Sequence, residues 1–512
     1  MTSSIAAVPP GARSPRSLLR AVFRAGPPTR TLHLTWIAFF STFVVWFNFA
    51  PFATTIGKQF DLSKGQLVTL GLCNLALTVP ARLVVGSLLD RFGPRRTFSA
   101  ILLYALIPCL VFATAQDFTM LVVGRLLIGV VGAGFVVGIR MVSEWFPPAE
   151  VGTAEGIYGG WGNFGAAAAT LALPVVADVV GGPEAWRWVI AGTGVIAAVY
   201  GFVYFRSVSD TPEGVAYQRT KKASALEVTS PGAVRGLMAL SVPLAVALGV
   251  IGWRIWKVGV ITSFGLGLAI AASAALLGVQ LLAVHRTNAR ARADEYPADE
   301  RYPFASVAVL SLAYACTFGS ELAAVSFLPT FFETTWGLST AVAGAAASAF
   351  AVMNLVSRPA GGLISDLVAS RRRWLMTLLG CLAIGYLVLS RMTAAWPLGV
   401  AIGTVLVTSL FAQAGNGAVY AIVPLVKKRV SGQIAGMAGA YGNVGGIVFL
   451  TTLLFLPVQG VFAVMGVGSL LATIAARWLV EPAISHELTD RPAPASLGAP
   501  TSAGRLAPAG GA

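Results

Sequence analysis

Apolar runs of about twenty residues, each long enough to cross a hydrocarbon core, recur from end to end of this 512-residue chain. In lipid such runs can satisfy their backbone groups only as helices or as a closed barrel, and their length favours helices. Only 11% of the residues are charged and 56% are hydrophobic, against about 25% charged in an ordinary soluble chain. The 56 glycines fit close helix packing in lipid better than flexible linkers. The sequence therefore predicts an all-α, polytopic membrane protein.

The formal net charge is +15. Its positive residues fall in short loops between apolar runs, which points to membrane orientation rather than to nucleic acid. Asp90 to Arg96, Ser370 to Arg373 and Lys427 to Arg429 form such loops, and the N-terminal stretch carries Arg13, Arg16, Arg20, Arg24 and Arg30. All are expected on the cytoplasmic side, together with both termini. Met1 to Arg30 lacks the apolar core of a cleavable signal peptide. Cys73, Cys109, Cys316 and Cys381 lie scattered in apolar runs without metal or disulfide spacing. His33, His285 and His486 form no cluster, so neither a metal nor a cofactor is expected.

Periodicity predicts six helices over about 31–206 and six over about 302–481, joined by a linker region over about 207–301. Two further apolar runs, at about 237–253 and 258–284, are inserted in that linker region. The expected total is about 14 spans. An even insertion keeps both halves in one orientation, although Arg254 and Lys257 at its turn mildly oppose the charge rule. Residues 1–30 form a basic tail. Residues 482–512 are rich in Pro, Ala, Gly and Ser and are expected to be disordered.

The halves repeat one another. Arg82 lies in the run Gln66 to Asp90 and Arg358 in the run Ala341 to Asp366, and the interval between the two arginines equals that between Asp90 and Asp366. Gly159-Gly-Trp-Gly-Asn-Phe-Gly165 is echoed by Gly439-Ala-Tyr-Gly-Asn-Val-Gly445, and nearly the same interval separates Asn163 from Asn443. A charged side chain at mid-membrane costs about 2.5–3.5 kcal/mol on insertion scales and is by default functional. Two cations at equivalent places, with no acidic residue at an adjacent turn, point to an anion site between repeats near the midplane.

The loop Gly86-Ser-Leu-Leu-Asp-Arg-Phe-Gly-Pro-Arg-Arg96 resembles the loop after the second helix of the major facilitator superfamily. Together with the two Gly-Asn segments, it makes the chain similar to the nitrate/nitrite porter family of that superfamily over about 33–206 and 302–480. The resemblance implies two six-helix bundles around a central site and transport of nitrate or nitrite by alternating access. It also implies gating roles for Asp90, Arg91, Gly93, Arg95 and, in the repeat, Asp366. Glycines 159, 162, 165, 442 and 445 thin helix faces for close approach or sliding.

In that family a planar anion lies between aromatic rings and two arginines, positions matched here by Arg82 and Arg358. The flat guanidinium fork suits a planar oxyanion. Asn163 and Asn443 donate without needing a counter-charge. Phe135 and Tyr420 follow equivalent small-residue segments; Tyr420 departs from the family's Phe. Tyr314 and Phe318 match further pocket residues. Glu321 shares their helix face at i+7 and i+3. Burial opposes its charge and a neighbouring Arg favours it, a balance suited to a proton carrier. The expected partners are nitrate, nitrite, protons in a symport cycle, and membrane lipids. Arg125, Glu155, Asp178 and the Arg140/Glu144 pair look like helix-end charges. No enzyme constellation and no nucleotide loop is visible, so gradients would drive transport. A porter for another small anion, such as an organic acid, and a non-transporting membrane sensor are the alternatives; few pocket hydroxyls speak against sugars.

Overall fold

The computed structural model describes residues 15–148, 150–217, 225–338 and 340–481. The remaining parts of the two tails, Arg13 and His486 among them, lie outside the described residues. No strand occurs among the described residues. Thirteen helices among them are long and apolar enough to cross a membrane. Six form the first half: α1 (Pro27–Gln59), α2 (Gly65–Phe92), α3 (Pro94–Ala113), α4 (Phe118–Trp145), α5 (Val151–Val180) and α6 (Ala185–Ser207). Two are inserted, α7 (Pro231–Lys257) and α8 (Ser263–Thr287). The second half holds α9 (Phe304–Trp336), α10 (Thr340–Val352), α11 (Asn354–Leu367), α12 (Arg371–Leu389), α13 (Leu398–Val426), α14 (Lys428–Thr452) and α15 (Val458–Trp478). The fourteenth expected span is the interrupted pair α10–α11, broken at Met353.

Helix α1 starts ahead of the expected boundary, because Pro27 and Pro28 suit a first helical turn, where no N–H donor is needed. Helix α7 does the same, with Ser230 capping Ala233 N at 3.2 Å ahead of Pro231.

Two breaks shape the interior. Pro80 denies α2 one backbone donor, and the helix is interrupted at Leu77. Its carbonyls find other partners: Asn74 O accepts from Trp46 Nε1 at 3.2 Å. In α4 a 3₁₀ stretch, Val130–Ala133, precedes Phe135. The freed carbonyls of Gly129 and Gly132 then accept side-chain donors, Thr78 Oγ1 and Arg82 Nε.

Within the halves α5 packs on α1 and α14 on α9, and between the halves α5 packs on α11 and α14 on α2. The between-half seams have one design used twice. A Cβ on Gly156 would meet the Arg358 carbonyl at 2.9 Å, and one on Gly436 would meet the Arg82 carbonyl at 2.8 Å. Real Cβ atoms do not come so close, so hydrogen is the only side chain that lets these backbones touch. Gly86 and Gly362 complete the seams from the other side.

The short basic loops share one end of the bundle, the basic face. There the Asp366 carboxylate accepts from Gly152 N at 3.2 Å, Thr153 N at 2.6 Å and Thr153 Oγ1 at 2.8 Å, at the start of α5. Arg371 completes this cap with an ion pair of 2.8 Å and also donates to Pro148 O at 3.3 Å. Asp90 lies against Gly432 at the start of the helical run Ser431–Thr452, where the Gln433 backbone N–H donates to its carboxylate. Arg140 crosses to the same place, donating to Lys428 O and Ser431 Oγ while paired with Glu144.

The inserted pair returns the chain to the basic face. Helix α7 touches α2 and α14, with Arg254 donating to Gly65 O at 2.9 Å and Tyr441 Oη to Leu240 O at 2.8 Å. That carbonyl gives Arg254 a partner at the far end, where the charge rule disfavours a cation. The linkers are tied to the second half at Glu227, which accepts from Arg429 and from Tyr296. Partial burial pushes the Glu227 carboxyl upward, but these donors outweigh it and hold it below its ordinary value.

Candidate functional site

Arg82 and Arg358 are 0% and 1% exposed and converge on one ring from opposite halves. The Arg358 guanidinium lies 5.1 Å from the centroid of Phe135 and that of Arg82 lies 5.6 Å from it. Arg82 also lies 5.3 Å from the Phe318 centroid. Among the described residues neither arginine has a carboxylate within salt-bridge distance. Arg82 donates through Nε to Gly132 O at 3.3 Å and through Nη1 to Gly439 O. Arg358 donates through Nη2 to Tyr314 Oη at 3.3 Å. Arg82 Nη2 and Arg358 Nη1 are left without a partner among the described residues. Two buried cations, each with an unused donor, make a site suited to one anion.

The aromatic walls are arranged differently from the sequence expectation. Tyr420 stands edge-on to Phe135, at 4.6 Å and 88°, so these two do not form a parallel pair. Phe135 instead lies parallel to Tyr314, at 6.1 Å and 4°, and to Phe318, at 6.5 Å and 11°. Tyr420 is held by its hydroxyl on Ala435 O at 3.2 Å. Tyr158, which sequence reasoning missed, backs the far side of Phe135 at 6.0 Å and 14°, and donates to the Phe135 carbonyl at 2.8 Å. Phe135, Tyr314, Phe318 and Tyr420 are at most 1% exposed, so the site is closed to bulk solvent from both ends.

The asparagines are buried in equivalent helices. Asn163 has neither side-chain atom partnered among the described residues, while Asn443 reaches back to Gly439 O at 3.3 Å and leaves Oδ1 unused. Gly159 lies against the Arg358 side chain and Gly442 against Tyr314 and Phe318. Gly162, Gly165 and Gly445 face α1 or α9 within their own half. The seam glycines 152, 156, 432 and 436 were not singled out by the sequence reading, although the interval between Asn163 and Asn443 also pairs Gly152 with Gly432 and Gly156 with Gly436. Among the loop residues, Arg95 donates to Phe205 O of its own half at 2.7 Å, and its backbone N–H to Asp210 at the start of the linker at 2.8 Å. Gly93 has φ +85° and abuts Asp210. Arg91 stacks on neighbouring Phe92 at 5.2 Å.

Two carboxyl groups flank the arginines. Both Glu321 oxygens are occupied, by Asn354 Nδ2 at 2.7 Å and Asn416 Nδ2 at 2.8 Å. Glu155 is 1% exposed with both oxygens unpartnered among the described residues. It lies one helical turn before Gly159, on the helix that presses against Arg358. Glu155 lies near the start of α5, as the sequence reading placed it, and is turned inward and buried there. No cluster of metal-ligating residues occurs among the described residues.

The model of the Major Facilitator Superfamily matches residues 35–288 and 310–507. The chain belongs to the major facilitator superfamily. Its fold agrees with solved major facilitator structures. The human organic anion transporter MFSD10 (TETRAN) superposes with a TM-score of 0.60 at 13% identity, covering 88% of this chain and 100% of that one. The proton:xylose symporter XylE superposes with 0.61 at 15% identity, covering 89% and 96%. Among curated major facilitator relatives, the nitrate/nitrite transporter NrtP of Nostoc punctiforme is 49% identical, covering 91% of this chain and 95% of its own. That of Picosynechococcus sp. is 48% identical, covering 88% and 93%. The high affinity nitrate transporter 2.7 of Arabidopsis thaliana is 26% identical, covering 84% and 79%.

Proposed function

We propose that this protein carries nitrate and nitrite across the bacterial cytoplasmic membrane by alternating access, with its basic face in the cytoplasm. The observation that carries this reading is the pair of buried arginines, one per half, converging on Phe135 with an unused donor each. High identity to two NrtP transporters supports the substrate. The rings of Phe135 and Tyr314 are parallel, with centroids 6.1 Å apart, and a flat anion between parallel rings needs two van der Waals contacts of about 3.5 Å each. A small opening of that slot admits a flat oxyanion one atom thick but not a tetrahedral one of similar charge.

In this reading Arg82 and Arg358 bind the anion, and Asn163 and Asn443 add neutral donors. Phe135, Tyr314, Phe318 and Tyr420 shape the slot. The anion relieves repulsion between the two cations and so favours closure of the halves. Asp90, Asp366 and the surrounding loop residues Arg91, Gly93 and Arg95 hold the cytoplasmic end shut, and the glycine seams let the halves rock. In a symport cycle the proton would be held by Glu321 or Glu155; in exchange neither would move one.

The test uses purified protein in liposomes carrying a nitrate-sensitive probe. Nitrate uptake is measured under an imposed proton gradient, and separately with internal nitrite. Uptake under the first condition alone establishes symport; uptake that needs internal nitrite establishes exchange. Arg82→Lys and Arg358→Lys retain charge but lack the flat fork, and each is expected to lower uptake at least tenfold, the scale of one lost charge-assisted contact of about 1.5–3 kcal/mol. Wild-type protein that is folded yet moves neither anion overturns the assignment.

A further inference from the structure

The segment before α1 has no part in the transport site, yet it is strongly patterned. The chain has no acidic residue before Asp61, while Arg13, Arg16, Arg20, Arg24 and Arg30 all lie before α1 or within its first turn. Residues Pro15–Phe23 form a nine-residue helix. Arg16, Arg20 and Arg24 follow at i, i+4 and i+8, a single stripe, and are exposed together with Arg30. Val22 points away from the arginines and is buried, while Leu19 and Phe23, at i+3 and i+7 from Arg16, border the stripe and are exposed. An arginine stripe bordered by exposed Leu19 and Phe23 suits a helix lying in a membrane interface.

The helix is docked rather than loose. The single Thr29 hydroxyl proton lies between Val22 O at 2.8 Å and Arg24 O at 2.6 Å, closing the end of the helix onto α1. Val22 is fully buried. The Phe23 ring meets Trp161 of α5 at 6.0 Å and His33 of α1 at 5.9 Å. The helix touches α1, α5 and also α11, so it lies across the seam between the halves. Trp161 then continues into a lateral groove of about 410 Å³ lined by Trp36, Ile37, Phe40, Trp161, Phe164 and Leu355.

We propose that the Pro15–Phe23 helix, Arg16, Arg20, Arg24 and Arg30, and the groove beside them form a binding site for an anionic phospholipid. The negative headgroup rests on the arginine stripe at the basic face. One acyl chain fills the aromatic groove between α1 and α5 on one side and α11 on the other. The charge complementarity selects an anionic lipid over a zwitterionic one. Because the groove's walls come from both halves, the occupied site holds the seam at the basic face. This inference rests on the membrane placement of the basic face and not on the substrate assignment, so the two fail separately.

The experiment uses the purified full-length protein in mild detergent, with its thermal melting followed as lipid is added. Phosphatidylglycerol and phosphatidylcholine of identical chains are compared, with inorganic phosphate alone as a third arm. Phosphatidylglycerol is expected to raise the melting temperature more than phosphatidylcholine, and phosphate alone is not. The R16Q/R20Q/R24Q/R30Q variant is expected to lose that difference, and the corresponding Arg→Lys variant to keep it. Phosphatidylglycerol with brominated chains is expected to quench tryptophan emission, and the quenched fraction is expected to fall in Trp161→Phe. An undiminished phosphatidylglycerol increment in the glutamine variant, an equal shift from phosphate alone, or quenching indifferent to Trp161 overturns the proposal. If the glutamine variant does not fold, the wild-type comparison with the lysine variant and the quenching result decide it.

Discussion

Glu155 and Glu321 are both buried carboxyl groups near Arg358, and hydrogen-bond accounting separates them. Protonating Glu321 would convert an acceptor into a donor and break one of its two bonds to Asn354 and Asn416. Protonating Glu155 would break none. Arg358, one of the two site cations, acts on Glu155. In a proton-coupled cycle Glu321 is therefore suited to stand as a fixed counter-charge and Glu155 to gain and release a proton. Glu155→Gln is expected to flatten the pH profile of nitrate uptake while leaving KM within a few-fold. Glu321→Gln is expected to raise KM while the pH profile keeps its shape. Uptake measured in liposomes across mildly acidic to mildly alkaline pH separates the two, and a reversed pattern returns the coupling role to Glu321. The arginine pair was legible in the sequence because a cation in an apolar run stands out and its repeat interval can be counted. The partners of Glu321 were not. Asn354 and Asn416 sit on two other helices, and which faces of three helices meet is decided by packing, not by local spacing.

At the scale of helices, the repeat explains what the sequence showed and what it hid. Its near-constant interval located both site helices and both Gly-Asn segments. It did not show that Tyr420 stands edge-on to Phe135, because ring orientation follows from the hydroxyl's bond to Ala435, a bond open to Tyr and closed to Phe. Nor did it single out Gly156 and Gly436, which look like any helix glycine until the opposing carbonyl is seen. Overpacking a close backbone approach costs typically about 1–3 kcal/mol, and here the cost falls only on the state in which the seam is shut. Gly156→Val and Gly436→Val are therefore expected to shift the protein toward a basic-face-open state. A cysteine placed beside the seam should then label faster from the basic side than in the parent, and unchanged labelling would show that the seam does not gate. The linker is tied down more weakly. Glu227 is held below its ordinary value in the folded protein, so its pairing stabilises above the unfolded value of about 4.3. That stability is lost as pH falls through the lower folded value. With both partners partly exposed, the contribution is under about 1 kcal/mol. Glu227→Gln is expected to melt slightly earlier at neutral pH and to lose less than the parent on acidification below the unfolded value.

For the whole molecule, the two cross-seam caps at the basic face are equivalent in sequence and unequal in strength. Asp366 caps α5 with three hydrogen bonds and a buried ion pair to Arg371. Asp90, its counterpart in the first repeat, lies at the matching start of a helix with one backbone hydrogen bond, from Gln433, and no ion pair in contact among the described residues. One charge-assisted hydrogen bond at the positive end of that helix is worth about 1.5–3 kcal/mol. Removing one partner of a buried ion pair costs about 3–5 kcal/mol, because the other charge is left without compensation. Asp366→Asn should thus destabilise the closed basic face by more than Asp90→Asn, and Arg371→Gln should repeat the larger effect. An Asp366→Asn/Arg371→Gln double variant should recover part of it, since no orphaned charge remains. Melting temperatures of the four proteins, with accessibility of a basic-face cysteine in each, test this directly. Equal losses at Asp90 and Asp366 would mean that closure depends on helix ends rather than on the Arg371 pair. The inequality has a mechanical consequence. Opening must release the α5–α11 seam against the larger barrier, so the α2–α14 seam, the one beside Arg82, is expected to part first.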